Sequence, residues 1–198
     1  MLSRKEKLTG ALLGMAVGDA LGAPINGMKA PHAAQVYGEI DGYVDAAEAW
    51  RGKPRHVTLR GLYTDVTQQA LAMADILARD GRCSPEAFAE VLADMASGWI
   101  EGSRHGCHRR GSRTFSKALE RIASPDMEPL ECGEPSPDLG AVGRAVPIGL
   151  FLAGRAVEMR QLVIEAALVT HADPRAVCAA VVVATALART VDDSGMHN

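Results

Sequence analysis

Aromatic residues are scarce in this chain of 198 residues: three Phe, three Tyr and two Trp. Much of the apolar content is alanine, so the core must be assembled from small side chains, which suits closely packed helices. Strand patterning is also missing. No stretch alternates apolar and polar residues for long, which excludes a sheet of three or more strands from the expected fold. Positive charge is not in excess. The formal net charge is −3, and basic residues cluster only between Arg104 and Arg113, which argues against a general nucleic-acid binder. The four cysteines, Cys83, Cys107, Cys132 and Cys178, are far apart and form no C-x-x-C pair. They read as free thiols of a reducing cytoplasm, not as a disulfide framework. No run is expected to be long and apolar enough to span a membrane, 177–188 coming nearest. Arg4, Lys5 and Lys7 ahead of an apolar run mimic a secretory signal, but Asp19 and repeated glycines interrupt that run, and a folded helix explains it better.

What the chain does have is helical punctuation, on a scale that suits one domain. Apolar spacing predicts helices over 8–22, 67–79, 85–99, 113–122, 145–155, 159–169 and 174–190. Two starts are sharp: Ser84 before Pro85 and Asp173 before Pro174 each place a capping side chain ahead of a proline at the first helical position. Phe88, Val91, Leu92, Met95 and Trp99 keep helical spacing and read as core. Leu71, Ala74, Ile76 and Leu77 are placed on the apolar side of the 67–79 helix. The helix over 174–190 is apolar almost all round, so it is expected to be central or to contact another chain. Two stretches, 24–62 and 124–138, lack periodicity; the second holds Pro125, Pro129, Pro135 and Pro137 and is expected to be an exposed connection.

Chemistry concentrates in a few places. Thr64-Asp65-Val66-Thr67 sets three oxygen-bearing side chains at a helix N-terminus. Two readings stand: a helix cap, or half of a site for a hard cation such as Mg²⁺, one carboxylate short because Val66 has no lone pair to give. Gly10, Gly14, Gly18 and Gly22 recur on one helix face and are expected to let another backbone come close, with Asp19 near the end of the same helix. His171 precedes the Asp173-Pro174 cap. His105, Cys107 and His108 lie together among arginines, but no second ligand pair matches them as a zinc site.

Four segments in register resemble the ADP-ribosylglycohydrolase family. The stretch from Gly10 to Pro24 is similar to the family's G-x-L-L-G-x-A-x-G-D-A-L-G-x-P-x-E; Tyr63 to Leu77 resembles its T-D-D-T helix start apart from Val66; Gly140 to Gly149 follows in part G-N-G-A-x-M-R-x-x-P-I-G; and Thr170 to Ala176 matches T-H-x-D-P-R-A. The resemblance implies an all-α, orthogonal multi-helix fold as a single domain over 1–198. It also implies hydrolysis of the glycosidic bond of ADP-ribosylated substrates with Mg²⁺. By it, Asp65 is the catalytic carboxylate; Thr64, Asp65 and Thr67 are metal ligands; and Asn26, Gly140, Ala141 and His171 line the substrate, with His171 near the diphosphate or ribose and the small residues Gly140 and Ala141 opening backbone N–H groups to phosphate.

The departures set further expectations. Asn26 stands where the family has glutamate, Val66 where it has the second aspartate, and Leu139 where it has asparagine. A family D-x-D-T segment finds no counterpart, since Asp192-Asp193-Ser194 lacks the pattern and reads as a solvated tail. Mg²⁺ binding is therefore expected to be weak or absent and hydrolysis weak. A non-catalytic ADP-ribose-binding protein, or a self-associating shortened one, remains an open alternative. With helices of the family fold missing after 198, the chain is expected to be a homo-oligomer rather than a stable monomer, with no nucleic-acid or membrane partner.

Overall fold

The structure, a computed structural model, describes residues 2–50, 59–97, 108–109 and 111–191. Among them the fold is all-α: α1 (Arg4–Gly22), α2 (Ala30–Tyr37), α3 (Ala46–Ala49), α4 (Asp65–Asp80), α5 (Pro85–Ala96), α6 (Arg113–Ile122), α7 (Val142–Phe151), α8 (Ala156–Leu168) and α9 (Pro174–Val191), with 3₁₀ turns at Ala23–Ile25 and Pro129–Glu131. Among the described residues the one extended pairing is an isolated parallel bridge between Glu134 and His171.

The centre is α7, and its sequence explains why. Every residue from Gly143 to Leu150 is buried, and the helix packs against α4, α8 and α9. Glycine permits the closest approaches. A Cβ on Gly149 would strike the Ala184 carbonyl of α9, and a Cβ on Gly143 would strike Val66 at the start of α4. On α9, Ala176, Ala180 and Ala184 supply the matching small face. The main core joins Met73, Ile76 and Leu77 of α4, Phe88 and Leu92 of α5, Phe115 of α6, Ile148 of α7 and Val163 of α8. Few of these are aromatic, as the composition requires.

Several expectations need correction. The central helix is α7, not α9, which buries one face and leaves Val182 66% exposed on another. Leu71 does not belong to the core of α4; it is exposed, while Thr67, Gln68 and Gln69 are buried. The glycine face of α1 meets no close backbone: around Gly10, Gly14, Gly18 and Gly22 an added Cβ would find nothing within 4 Å among the described residues. The helix seats instead through Leu8, Leu12 and Met15 on Val146, Leu150 and Val191. It also starts earlier than predicted, because Ser3 and Glu6 close a reciprocal capping box. Two helices, Arg4–Ile25 counted with its 3₁₀ turn and Pro174–Val191, do have the length and apolarity to cross a membrane, contrary to the sequence reading. The α1 tail and the alanine face of α9 make up that length.

The stretch 24–62 is not structureless where described. It forms α2 and α3, short helices whose first turns carry weak cues: Lys29 caps α2 with no side-chain bond, and Asp45 caps α3 through Ala47 N at 2.8 Å. The stretch 124–138 is not simply exposed. Cys132 is buried, Gly133 is wedged against the Leu168 carbonyl, and Glu134 exchanges backbone bonds with Thr170 O and Ala172 N. Arg121 and Lys117 of α6 pair with the Glu134 carboxylate, which ties that loop down next to His171.

Candidate functional site

The start of α4 is held by a carboxylate from another helix. Asp19 Oδ2 accepts from Thr64 N at 2.8 Å and from Thr67 Oγ1 at 2.7 Å, and Asp19 Oδ1 accepts from Thr64 Oγ1 at 2.8 Å. Thr67 N adds a longer bond at 3.3 Å. Free N–H groups at a helix start need acceptors, and Asp19 supplies them from α1. Thr64 Oγ1 also accepts from Val66 N, so it caps its own helix. From the other side, Asp65 N donates to Arg109 O, and Arg109 N to the Gln68 side chain.

Asp65 is 5% exposed and accepts a bond from Gln69 Nε2 at 2.7 Å. Burial first, and then the neighbouring Asp19 carboxylate, push its pKa up to about 7, against the pull of the Arg144 guanidinium. Arg144 is fully enclosed. It donates to Ala166 O and to Thr170 Oγ1, lies over the Phe88 ring, and although burial lowers its pKa to about 10 it keeps its charge at neutral pH. Thr170 Oγ1 in turn lies 2.6 Å from His171 Nδ1. The other ring nitrogen, His171 Nε2, is buried and faces Asp138 Oδ1 across a long polar contact of 3.7 Å. Burial lowers the His171 pKa, so the ring is neutral at pH 7. The His171 imidazole, with help from the Ser112 hydroxyl and the Gly140 N–H, holds the Asp138 carboxyl well below the usual carboxylate range despite burial.

These groups face one cleft of about 480 Å³, lined by Asn26, Thr64, Asp65, Val66, Gln69, Ser112, Phe115, Asp138, Leu139, Gly140 and His171. Asn26, Thr64, Asp65, Gly140 and His171, remote in sequence, are brought together here. Thr67 is fully buried behind them with its hydroxyl on Asp19. Ala141 is fully buried at the start of α7 and is not among the lining residues. Sequence reasoning left out Asp138, Gln69 and Ser112, and did not assign Asp19 to the site. An aspartate set among glycines spaced every fourth residue was the available signal for Asp19; Asp138 had none, because its loop is placed by the Glu134 bridge.

As a seat for Mg²⁺ the arrangement is poor. Among the described residues no group of three or more His, Cys, Asp or Glu side chains converges. The two threonine hydroxyls spend their protons on Asp19, which is taken up in holding the helix start, Asp65 is the one carboxylate the first turn of α4 itself supplies, and the Val66 side chain lies in the space a side chain on Gly143 would take. Of the candidate zinc cluster, 105–107 lies outside the described residues. His108 Nε2 donates to Leu92 O and its ring stands edge-on to Phe115, which is a structural role.

Comparison with known proteins agrees with the geometry. The chain is 30% identical over 189 residues to an uncharacterised protein of Archaeoglobus fulgidus, covering 96% of this chain and 57% of that protein. It is 28% identical over 169 residues to the ADP-ribosyl-[dinitrogen reductase] glycohydrolase of Rhodospirillum rubrum, covering 85% of this chain and 52% of that one. A solved structure titled ADP-ribosylglycohydrolase-related protein complex superposes with a TM-score of 0.68 at 27% identity, over 95% of this chain and 57% of that one. The chain thus spans about half the length of the curated relatives it matches. The sequence profile of the ADP-ribosylglycohydrolase family matches residues 1–197, and the chain belongs to that family.

Proposed function

We propose that this cleft binds the ADP-ribosyl group and that the chain is a weak or inactive ADP-ribosylglycohydrolase, acting on the bond between ribose C1″ and a side-chain nitrogen or oxygen. The observation that carries the reading is the convergence of Asn26, Asp65, Gly140 and His171 on one cleft in a chain of this family. Asp65, at a pKa of about 7, is the group able to hold or take up a proton beside a bound sugar. The weakness follows from the donor set. Mg²⁺, where bound, would orient sugar hydroxyls and water. Asp65 and the lone pair left on Thr64 would hold it loosely, since Asp19 is engaged by Thr64 and Thr67 and Thr67 is buried behind the cleft, while a hard dication needs more carboxylate charge than Asp65 alone brings to the cleft.

A binding role without turnover is the second reading, and Val66 favours it. Its side chain lines the cleft next to Asp65 and has no lone pair to offer a metal. The two readings separate in a release assay with purified chain and ADP-ribosylated arginine or serine. The account expects ADP-ribose release far slower than that of the Rhodospirillum rubrum enzyme, and little changed by Mg²⁺. Rapid, Mg²⁺-dependent release would overturn it. A cytoplasmic setting is proposed as well, on the unpaired thiols of Cys83, Cys132 and Cys178.

A further inference from the structure

Asparagine occurs twice in the sequence, as Asn26 and Asn198, and Asn26 is followed by glycine. The order matters, because the backbone nitrogen after an asparagine can attack the side-chain amide, and a glycine leaves that nitrogen unobstructed. In the folded chain the pair forms the tip of a turn. Asn26 has φ −59° and ψ 123°, Gly27 has φ 82°, and Met28 N donates to Ile25 O at 2.9 Å across them. This is a type II turn with Asn26 and Gly27 at its two central positions.

The turn is fixed at its base and free at its tip. Ala23 and Pro24 are buried, and Pro24 O accepts from Trp50 Nε1 at 2.7 Å. Asn26 and Gly27 are both exposed. Among the described residues neither the Asn26 side chain nor Gly27 N has a hydrogen-bond partner, and a Cβ on Gly27 would meet nothing within 4 Å. The peptide between them can therefore turn about the Asn26 ψ and carry its nitrogen to the amide without giving up a bond of its own. Asn26 also lines the cleft, on the same wall as Thr64 and Asp65 or facing it across the opening.

We infer that Asn26-Gly27 is a self-deamidating site, which replaces a neutral amide of the cleft with a carboxylate. Gly27 N loses its proton to solvent and attacks Asn26 Cγ. The N–Cγ bond forms, the Cγ–Nδ2 bond breaks, and the amide nitrogen takes a proton and leaves as ammonia. Water then opens the five-membered imide. Opening at Cγ gives aspartate on an unchanged backbone. Opening at the main-chain carbonyl of residue 26 gives isoaspartate, with one more methylene in the backbone of the turn. Either product adds a like charge to a cleft that Asp65 and Asp138 already line. The chain thus passes with time from one charge form to another. The conversion rests on the turn and on the chemistry of the pair; its slowing by a bound ADP-ribosyl group rests on the proposed function.

The test is incubation of the purified full chain in mildly alkaline, metal-free buffer, sampled over days by tryptic peptide mapping and mass spectrometry. The peptide 8–29 holds Asn26 and no glutamine, so its change from amide to acid reports this site alone. The folded chain should convert within about tenfold of the rate of the chain unfolded in guanidinium chloride, as befits a turn tip that opens at little cost, and should give both aspartyl and isoaspartyl peptides. Asn26→Gln, whose longer side chain closes a ring far more slowly, should stay folded and unconverted. Saturating ADP-ribose should slow the native chain about threefold or more. A folded chain that stays intact while the unfolded chain converts overturns the proposal, because the turn would then protect the pair. Conversion of Asn26→Gln at the native rate overturns it too, since direct hydrolysis would be at work. If the folded chain stays intact and ADP-ribose binds, the site falls and the proposed function stands. If conversion proceeds and ADP-ribose neither binds nor slows it, the proposed function falls and the site stands.

Discussion

At the scale of single residues, two aspartates decide the character of the site, and they do so through what surrounds them. Asp19 serves the start of α4, receiving the N–H and hydroxyl of both Thr64 and Thr67. Removing the side chain in Asp19→Ala leaves those donors without their acceptor, and the loss should be about 2–4 kcal/mol, read from urea denaturation. A loss under 0.5 kcal/mol or so would mean water replaces the carboxylate at no cost. Asp65 gives a pH signature. Its ordinary value is 3.8 and its folded value about 7. Below about pH 4 the carboxyl is protonated in both folded and unfolded chain, and its contribution to stability is complete. As pH rises toward 7 the unfolded chain has lost its proton while the folded chain still holds it, so stability falls through that window and levels off above it. The fall from this group is on the order of 4 kcal/mol. Urea midpoints at about pH 5 and about pH 8, compared between the native chain and Asp65→Asn, isolate it. The variant should show a markedly flatter dependence, and an unchanged slope would contradict the burial of a protonatable Asp65.

At the scale of elements, α4 and α7 meet through the pair Val66 and Gly143, and the contact is specific enough to test. Gly143→Ala drives a methyl into Val66 and its carbonyl, and should cost about 1–3 kcal/mol. Val66→Ala in the same chain should recover part of that loss, because the side-chain clash is relieved and the carbonyl contact is not. Strict additivity of the two changes, measured by denaturation of the full cycle, would show that the helices shift apart instead. The same contact shows what a sequence can and cannot disclose. The 113–122 helix, and the Ser84 and Asp173 caps, were legible to the residue because capping and periodicity are local. The convergence of Asp65 and His171 was legible as well, though only through the family motif. Three things were not: that α7 rather than α9 is central, that the glycine face of α1 points away from the core, and that Glu134 pins a proline-rich loop beside His171. Each depends on which face of an element meets which partner, and periodicity gives faces without naming partners. The short α2 was missed because its N-cap Lys29 makes no side-chain bond.

At the scale of the whole molecule, α1 and α9 lie in contact and turn apolar side chains outward: Leu13 is 60% exposed, Val17 44% and Val182 66%. We propose that this surface is covered by self-association, since exposed apolar patches mark interfaces. Sedimentation of the purified chain at micromolar concentration should show a dimer or larger, and Leu13→Glu with Val182→Glu should shift it toward monomer. A monomer that stays monodisperse would remove the proposal. The central claim, however, concerns the cleft: a family scaffold that keeps the ADP-ribosyl site while its metal site is incomplete. Calorimetric titration with ADP-ribose, with and without Mg²⁺, tests it most directly. The account predicts saturable one-to-one binding without metal, weakened in His171→Ala and changed less than about threefold by Mg²⁺. Binding that appears only when Mg²⁺ is present, or no binding under either condition, would contradict it.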